Sequence, residues 1–273
     1  MRRRVIVRVV TPFISIGLLL LVWQAVVVGF HVKPYVAPRP LVALKAVSDN
    51  WGVLWPLVLE IIRETVLGFL GGAVIGVFFG VVMAKVRFLQ RIIYPQLILS
   101  QAVPVVAIAF PLTVILGFGS VKPIIAIVIW IVFFPVTVNV LDGLSHVDQD
   151  LLNLARVYGA SRWRTFIHIE VPGAVTPLFS GLKIGATYAI TGAFIGELVS
   201  PPLGGTNLAL YVEHANSNFD PASVYGVTLL MAAIGVAWFL LVAGAGTLAT
   251  PWERRSVARR WRRRSIAAPQ VDH

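Results

Sequence analysis

The chain has 273 residues, 58% hydrophobic and 13% charged, with a mean hydropathy of +0.84. A soluble domain carries about a quarter charged residues, so this composition excludes an ordinary soluble protein and indicates an integral membrane one. The net charge of +11 does not point to nucleic acid, because the basic residues cluster beside long apolar runs, and the absence of cysteine rules out disulfides and thiolate metal sites.

In chain order, MRRRVIVRVV leads into an apolar stretch of roughly 20 residues, longer than a signal-peptide core and followed by no small-residue cleavage site. It is read as a retained first span. Since about 20 apolar residues cross a bilayer core, spans are predicted at 10–30, 64–85, 94–117, 121–143, 175–198 and 223–247. Lys and Arg precede the first span, lie between the second and third (Lys85, Arg87, Arg91), between the fourth and fifth (Arg156, Arg162, Arg164), and follow the sixth. The other side shows mainly Lys33, Arg39, Lys45 and Lys122, and 199–222 has no Lys or Arg. This bias places both termini in the cytoplasm of the inner membrane.

The chain thus divides into a basic N-terminus with its first helix (1–30), an external segment (31–63), a helical core (64–250) and a basic cytoplasmic tail (251–273). Within 31–63, prolines give an extended start and LVALKAVSDNWGVLWPLVLEIIRET suits amphipathic helices at the outer interface, where Trp51 and Trp55 fit. The tail fits an anchor to anionic lipid. Gly72, Gly76 and Gly80 repeat every four residues, as do Gly181 with Gly185 and Gly192 with Gly196; such stripes let neighbouring backbones approach, and plain helix packing explains them.

The loop 145–172 differs from everything around it. Ser145 and Asp148 resemble a capping box, and Leu151, Leu154, Ala155 and Tyr158 recur at helical spacing. Gly159 suits a helix end, and Ser161 can cap a second short helix in which Trp163, Phe166 and Ile167 share a face, with Arg162 and Arg164 off it. Pro172 is expected to end that helix. The prediction is a bent, two-helix knuckle presented to the cytoplasm for another protein to grip. Arg162 and Arg164 also stand as plain topology anchors.

The stretch NLARVYGASRWRTFIHIEVP resembles the EAA loop of ATP-binding-cassette importer permeases, with Asn153, Leu154 and Ala155 at the E-A-A positions, then Gly159 and a closing Ile169-Glu170-Val171-Pro172. The family's glutamate is Asn153 here and its first alanine is Leu154. The resemblance runs from about residue 35 to TPWERR near 250, and YVAPRPLVALKAV is similar to the nitrate, sulfonate and taurine permease group. SQAVPVVAIAFPLTVILGFG and VPGAVTPLFSGLKIGATYAITGAFIGELV look like its thiamine-precursor pyrimidine or riboflavin branch.

That resemblance implies an all-α type I importer permease, itself not an enzyme and without cofactor or metal, with ATP and magnesium held on separate ATPase subunits. It also implies a second permease chain, a homodimer being the simpler case, and an extracytoplasmic binding protein. The ATPase would dock on Asn153, Leu154, Ala155, Tyr158, Gly159, Ala160, Ser161, Arg162, Trp163, Arg164 and Phe166. The chain has no GxxxxGK[ST] loop of its own. Candidate pathway residues are the polar groups within spans, Gln101, Thr113, Thr187 and Thr191, together with Glu197, for which a pathway role and ordinary solvation near the outer interface both stand. This sparsely charged lining suits an uncharged or aromatic solute; sulfonate, taurine or nitrate is the alternative. An ATP-independent secondary transporter is the rival class, disfavoured because neither an internal repeat nor a buried acidic pair is evident.

Overall fold

The computed structural model describes residues 2–251, with side chains from residue 17 onward and at Ile14. The arginines ahead of the first span and the basic tail beyond 251 therefore lie outside the described side chains. Every described regular element is helical. The helices are α1 (Arg2–Gly29), α2 (Pro40–Asp49), α3 (Trp51–Lys85), α4 (Arg87–Ala102), α5 (Val105–Leu116), α6 (Val121–Ser145), α7 (Gln149–Val157), α8 (Arg162–Thr165), α9 (Val171–Val199), α10 (Leu208–Ser217) and α11 (Pro221–Ala249). Among them α3, α6, α8 running on into α9, and α11 are long and apolar enough to cross a membrane, and the bent pair α4–α5 can form a fifth span.

The centre is α6, apolar all round and held between glycine stripes on two neighbours. On one side Gly68, Gly72, Gly76 and Gly80 of α3 meet Val128, Val132, Val136 and Val140, one glycine to each valine. On the other, Gly181, Gly185, Gly192 and Gly196 of α9 lie against Pro135, Val132, Ile131 and Ile124. A β-branched valine is stiff and broad, so glycine opposite it lets the backbones close to contact distance. The four-residue glycine repeats are thus intrachain packing seams. Tertiary packing of α11 against α2 and α9 completes the bundle, with the Ala43 carbonyl of α2 set against Gly226.

Three expectations shift. Residues 31–63 do not form interfacial helices throughout: α2 is a separate short helix, but α3 begins at Trp51, and Leu54, Leu57, Val58 and Ile61 belong to the core. At 1.5 Å per residue, this 35-residue helix is about 52 Å long, more than a bilayer core requires. The span expected at 94–117 is broken by a 101° bend between α4 and α5. Pro104 lacks an N–H and forces Val103 into an extended conformation, so the helix cannot run through. Finally, Pro172 does not end the helix it follows. Phe166–Glu170 forms a π-helical turn in which the Val171 N–H donates to the Phe166 carbonyl, and Pro172 falls in the first turn of α9. The wider turn absorbs the missing donor, and the chain stays helical from Arg162 to Val199.

Candidate functional site: an exposed knuckle and a cleft between two helices

The knuckle is built by local backbone chemistry. Asp148 caps α7, its carboxylate accepting from the Asp150 N–H at 2.9 Å. Ser145 is the last residue of α6, so the expected capping box reduces to this single cap. At the other end, Gly159 has φ of 71°, its N–H donates to the Arg156 carbonyl at 3.0 Å, and the Ala160 N–H reaches the Ala155 carbonyl at 2.9 Å. These two bonds make a Schellman ending, in which the left-handed residue is nearly always glycine. Ser161 then caps α8, its Oγ accepting from the Arg164 N–H at 3.3 Å and its carbonyl from the Thr165 hydroxyl at 3.1 Å.

What the knuckle shows to its surroundings is apolar and cationic. Val157, Tyr158 and Trp163 are 83%, 81% and 68% exposed, and Leu151 and Leu154 are also exposed. Arg162 and Arg164 flank Trp163 and are exposed too. Asn153 accepts from Arg156 within its own helix at 3.3 Å. Trp163 and Phe166 stack with ring centroids 6.0 Å apart, and Phe166 turns toward a groove of about 800 Å³ between the knuckle and the end of α3. Ala155 and Ala160 are half-buried behind this face. Large aromatic and apolar side chains left in the open beside arginines make a surface fit for a protein partner. The structure thus brings the predicted docking residues into one knuckle. It also shows what sequence reasoning missed: Lys85 and Glu170, an ion pair joining α3 to the π-helical turn.

The candidate pathway residues separate. Thr187 and Thr191 of α9 line a cleft of about 480 Å³ with Ile190, Met231, Gly235 and Phe239, between α9 and α11. Gln101 is exposed at the end of α4, beside the bend. Thr113 is fully buried, its hydroxyl donating to the Ala109 carbonyl at 2.9 Å.

Glu197 departs furthest from expectation. It is 0% exposed rather than solvated at an interface, because α10 folds back over the end of α9. Its Oε2 accepts from the Ala209 N–H at 2.9 Å, and its backbone carbonyl accepts from Asn207 Nδ2 at 3.0 Å. Asn207 Oδ1 accepts from the Leu210 N–H at 2.8 Å. Two side chains therefore satisfy the first amides of α10, the favoured place for a carboxylate. Glu64 of α3, 2% exposed, brings a second carboxyl against Glu197. A buried acidic pair exists after all, at the end of the helices away from the knuckle. Glu64 stands four residues before Gly68, in register with the glycine stripe, and that spacing was its sequence signal.

Comparison with known proteins agrees with the architecture. The chain is 30% identical to the riboflavin transport system permease protein RibX of Chloroflexus aurantiacus, over 88% of this chain and 89% of that one. It is 26% identical to the formylaminopyrimidine transport permease protein ThiX of Halalkalibacterium halodurans, over 89% and 96%. Its fold matches a chain in the crystal structure of an amino acid ABC transporter with histidines, at a TM-score of 0.58 and 14% identity, covering 78% of this chain and 98% of that one. Residues 72–255 match the model of the binding-protein-dependent transport system inner membrane component. With its multi-pass helices and its matched core, the chain belongs to that family of importer permeases.

Proposed function

We propose that this permease couples ATP hydrolysis on separate ATPase subunits to uptake of a small heteroaromatic solute, of the kind of a pyrimidine vitamin precursor or riboflavin. The coupling half of the reading is carried by the knuckle: an exposed aromatic and arginine surface on two short capped helices, continuous with α9. A partner that moves this knuckle acts on a membrane-crossing helix through the turn that joins them. One knuckle per chain implies a second permease chain, a homodimer in the simplest assembly, so that each of two ATPases has a docking element. ATP and magnesium belong to those subunits. The basic residues at the knuckle end, Lys85, Arg87, Arg156, Arg162 and Arg164, support placing that end and both termini in the cytoplasm. The far end, with α10 and the loop around it, then receives the extracytoplasmic binding protein.

The substrate half rests on the α9–α11 cleft, whose lining offers two hydroxyls, a thioether and an aromatic ring but no charge. An aromatic ring can stack on Phe239 and bond to Thr187 or Thr191, whereas a sulfonate or nitrate finds no cation there. The names of the RibX and ThiX relatives point the same way. The test is ATPase activity of the purified complex in nanodiscs, with pyrimidine precursors, riboflavin, taurine, alkylsulfonates and nitrate each added with a cognate binding protein. Stimulation by a heteroaromatic ligand supports both halves. Stimulation by sulfonate, taurine or nitrate alone keeps the coupling and overturns the substrate. If no ATPase associates with the permease, the coupling reading is wrong.

A further inference from the structure

Lys85 is the last residue of α3, and its side chain crosses the groove beneath the knuckle. There its Nζ forms an ion pair with Glu170 Oε2 and lies 4.5 Å from the centroid of the Phe166 ring. Those two contacts are not placed at random along the chain. Phe166 and Glu170 are the first and last residues of the π-helical turn that joins the knuckle to α9. Such a turn is wider than an α-turn and interrupts the regular α-helical hydrogen-bond ladder, a feature frequent at functional sites. Pro172, just beyond it, removes one more backbone donor. The joint therefore departs from the regular α-helical ladder and is braced from outside at both ends by one side chain of another helix.

The brace is partly sheltered. The Glu170 side chain is 16% exposed and that of Lys85 43%, and the ammonium is covered on one side by the ring. Among the described residues lining the groove, Glu170 is the one carboxylate, facing Lys85, Arg156 and Arg162. Loss of Lys85 leaves Glu170 half-covered with its nearest cation gone, and the joint free to bend.

We propose that Lys85 is a positioning residue for coupling: by gripping Phe166 and Glu170 it fixes the angle between the knuckle and α9 and makes the cytoplasmic end of α3 move with the knuckle. This rests on the coupling reading above, but the brace itself is a property of the permease alone. The Lys85→Gln, Glu170→Gln, double Gln and Lys85→Arg variants test it in the full-length chain. Because the chain has no cysteine, Val157→Cys and Val74→Cys, both at exposed positions, can carry spin labels that report the knuckle-to-α3 distance in nanodiscs.

Lys85→Gln, which loses both contacts, is expected to broaden that distance distribution most, Glu170→Gln to broaden it less, the double to broaden it no further than Lys85→Gln, and Lys85→Arg to keep it narrow, since the ion pair is one shared interaction. In the assembled complex without spin labels, the Gln variants should still co-purify with the ATPase and keep its basal turnover. Stimulation by the loaded binding protein should fall about five-fold or more, the range of a modest coupling free energy. Unchanged distances in both singles, or an additive double, overturn the brace. Broadened distances with undiminished stimulation overturn its part in coupling. Failure of the unsubstituted chain to bind any ATPase defeats the coupling reading instead, and the spin-label arm still decides the brace.

Discussion

Replacing Gly76 by alanine puts the α3–α6 seam to a direct test. A Cβ built at Gly76 lies 2.7 Å from Val136 Cβ and 2.8 Å from the Phe133 carbonyl oxygen. Comfortable carbon contacts begin near 3.5 Å, so the helices must separate by roughly 1 Å. Neither obstacle can rotate away, since one is the branch point of a valine and the other is backbone. Overpacking of this kind costs about 1–3 kcal/mol, offset by up to ~1 kcal/mol because alanine favours helix over glycine. A net loss of about 1–2 kcal/mol is expected. Gly244 in α11 is the matched control: nothing lies within 4 Å of its Cβ position, so Gly244→Ala keeps the propensity gain without the clash. Unfolding of both variants in mixed micelles, followed by fluorescence of the chain's 8 tryptophans, measures the difference. If Gly76→Ala proves as stable as Gly244→Ala, α3 and α6 do not meet at this seam and the central packing described above is wrong.

Other variants probe the ends of the helices and the cleft. Glu197→Gln keeps an acceptor for the Ala209 N–H and should fold normally, whereas Glu197→Ala orphans that buried amide and leaves a cavity, at a cost of about 2–4 kcal/mol. Uptake corrected for folded protein should then track stability; a well-folded Glu197→Gln without uptake would return the carboxyl to the transport pathway. At Gly159, where φ is 71° and the Cβ position is open, Gly159→Val strains only the local backbone, by about 1–2 kcal/mol, and leaves bundle stability unchanged while abolishing ligand-stimulated ATPase activity. Full stimulation in that variant would show that the bend is dispensable for docking. Thr187→Val and Thr191→Val should raise the ligand concentration needed for half-maximal stimulation while basal ATPase turnover holds, and unaltered dose curves would remove the α9–α11 cleft from the pathway.

What could be read from the sequence was what local chemistry decides. The knuckle was legible because Gly159 and Ser161 carry their backbone roles in their residue type, and the spans at α3, α6, α9 and α11 because hydropathy is a sum over neighbours. The seams were half legible: Gly72, Gly76 and Gly80 announced a close approach, but Val132, Val136 and Val140 look like any apolar run until α6 is placed opposite. Misreadings arose where distant segments decide the outcome. Glu197 sits at the end of a span, where water is the expected neighbour, and only the return of α10 buries it. Lys85 fits a topology anchor by position, and its bond to Glu170 joins residues whose separation in sequence no periodicity spans. Pro172 looked like a stop because its missing donor was weighed against an α-turn, while the π-helical turn before it tolerates the loss.

The two glycine seams also constrain how a moving knuckle can act. With α6 locked to α3 on one side and to α9 on the other, sliding α9 along α6 would drive Gly181 and Gly196 off the backbone atoms they touch and push bulkier neighbours into their place. Packed cores of this kind shift between discrete arrangements or move as bodies, and they do not deform smoothly. A displacement entering at Arg162 therefore has two outlets. It is lost in the π-helical turn if that joint is loose, or it swings α3, α6 and α9 together if the joint is braced. Outside this stack lie the 101° bend between α4 and α5 and the cleft between α9 and α11. On the proposed coupling, a stack that moves as one body transmits the displacement of the knuckle only if the five residues from Phe166 to Glu170 hold their angle, and that is the demand the Lys85 brace would meet.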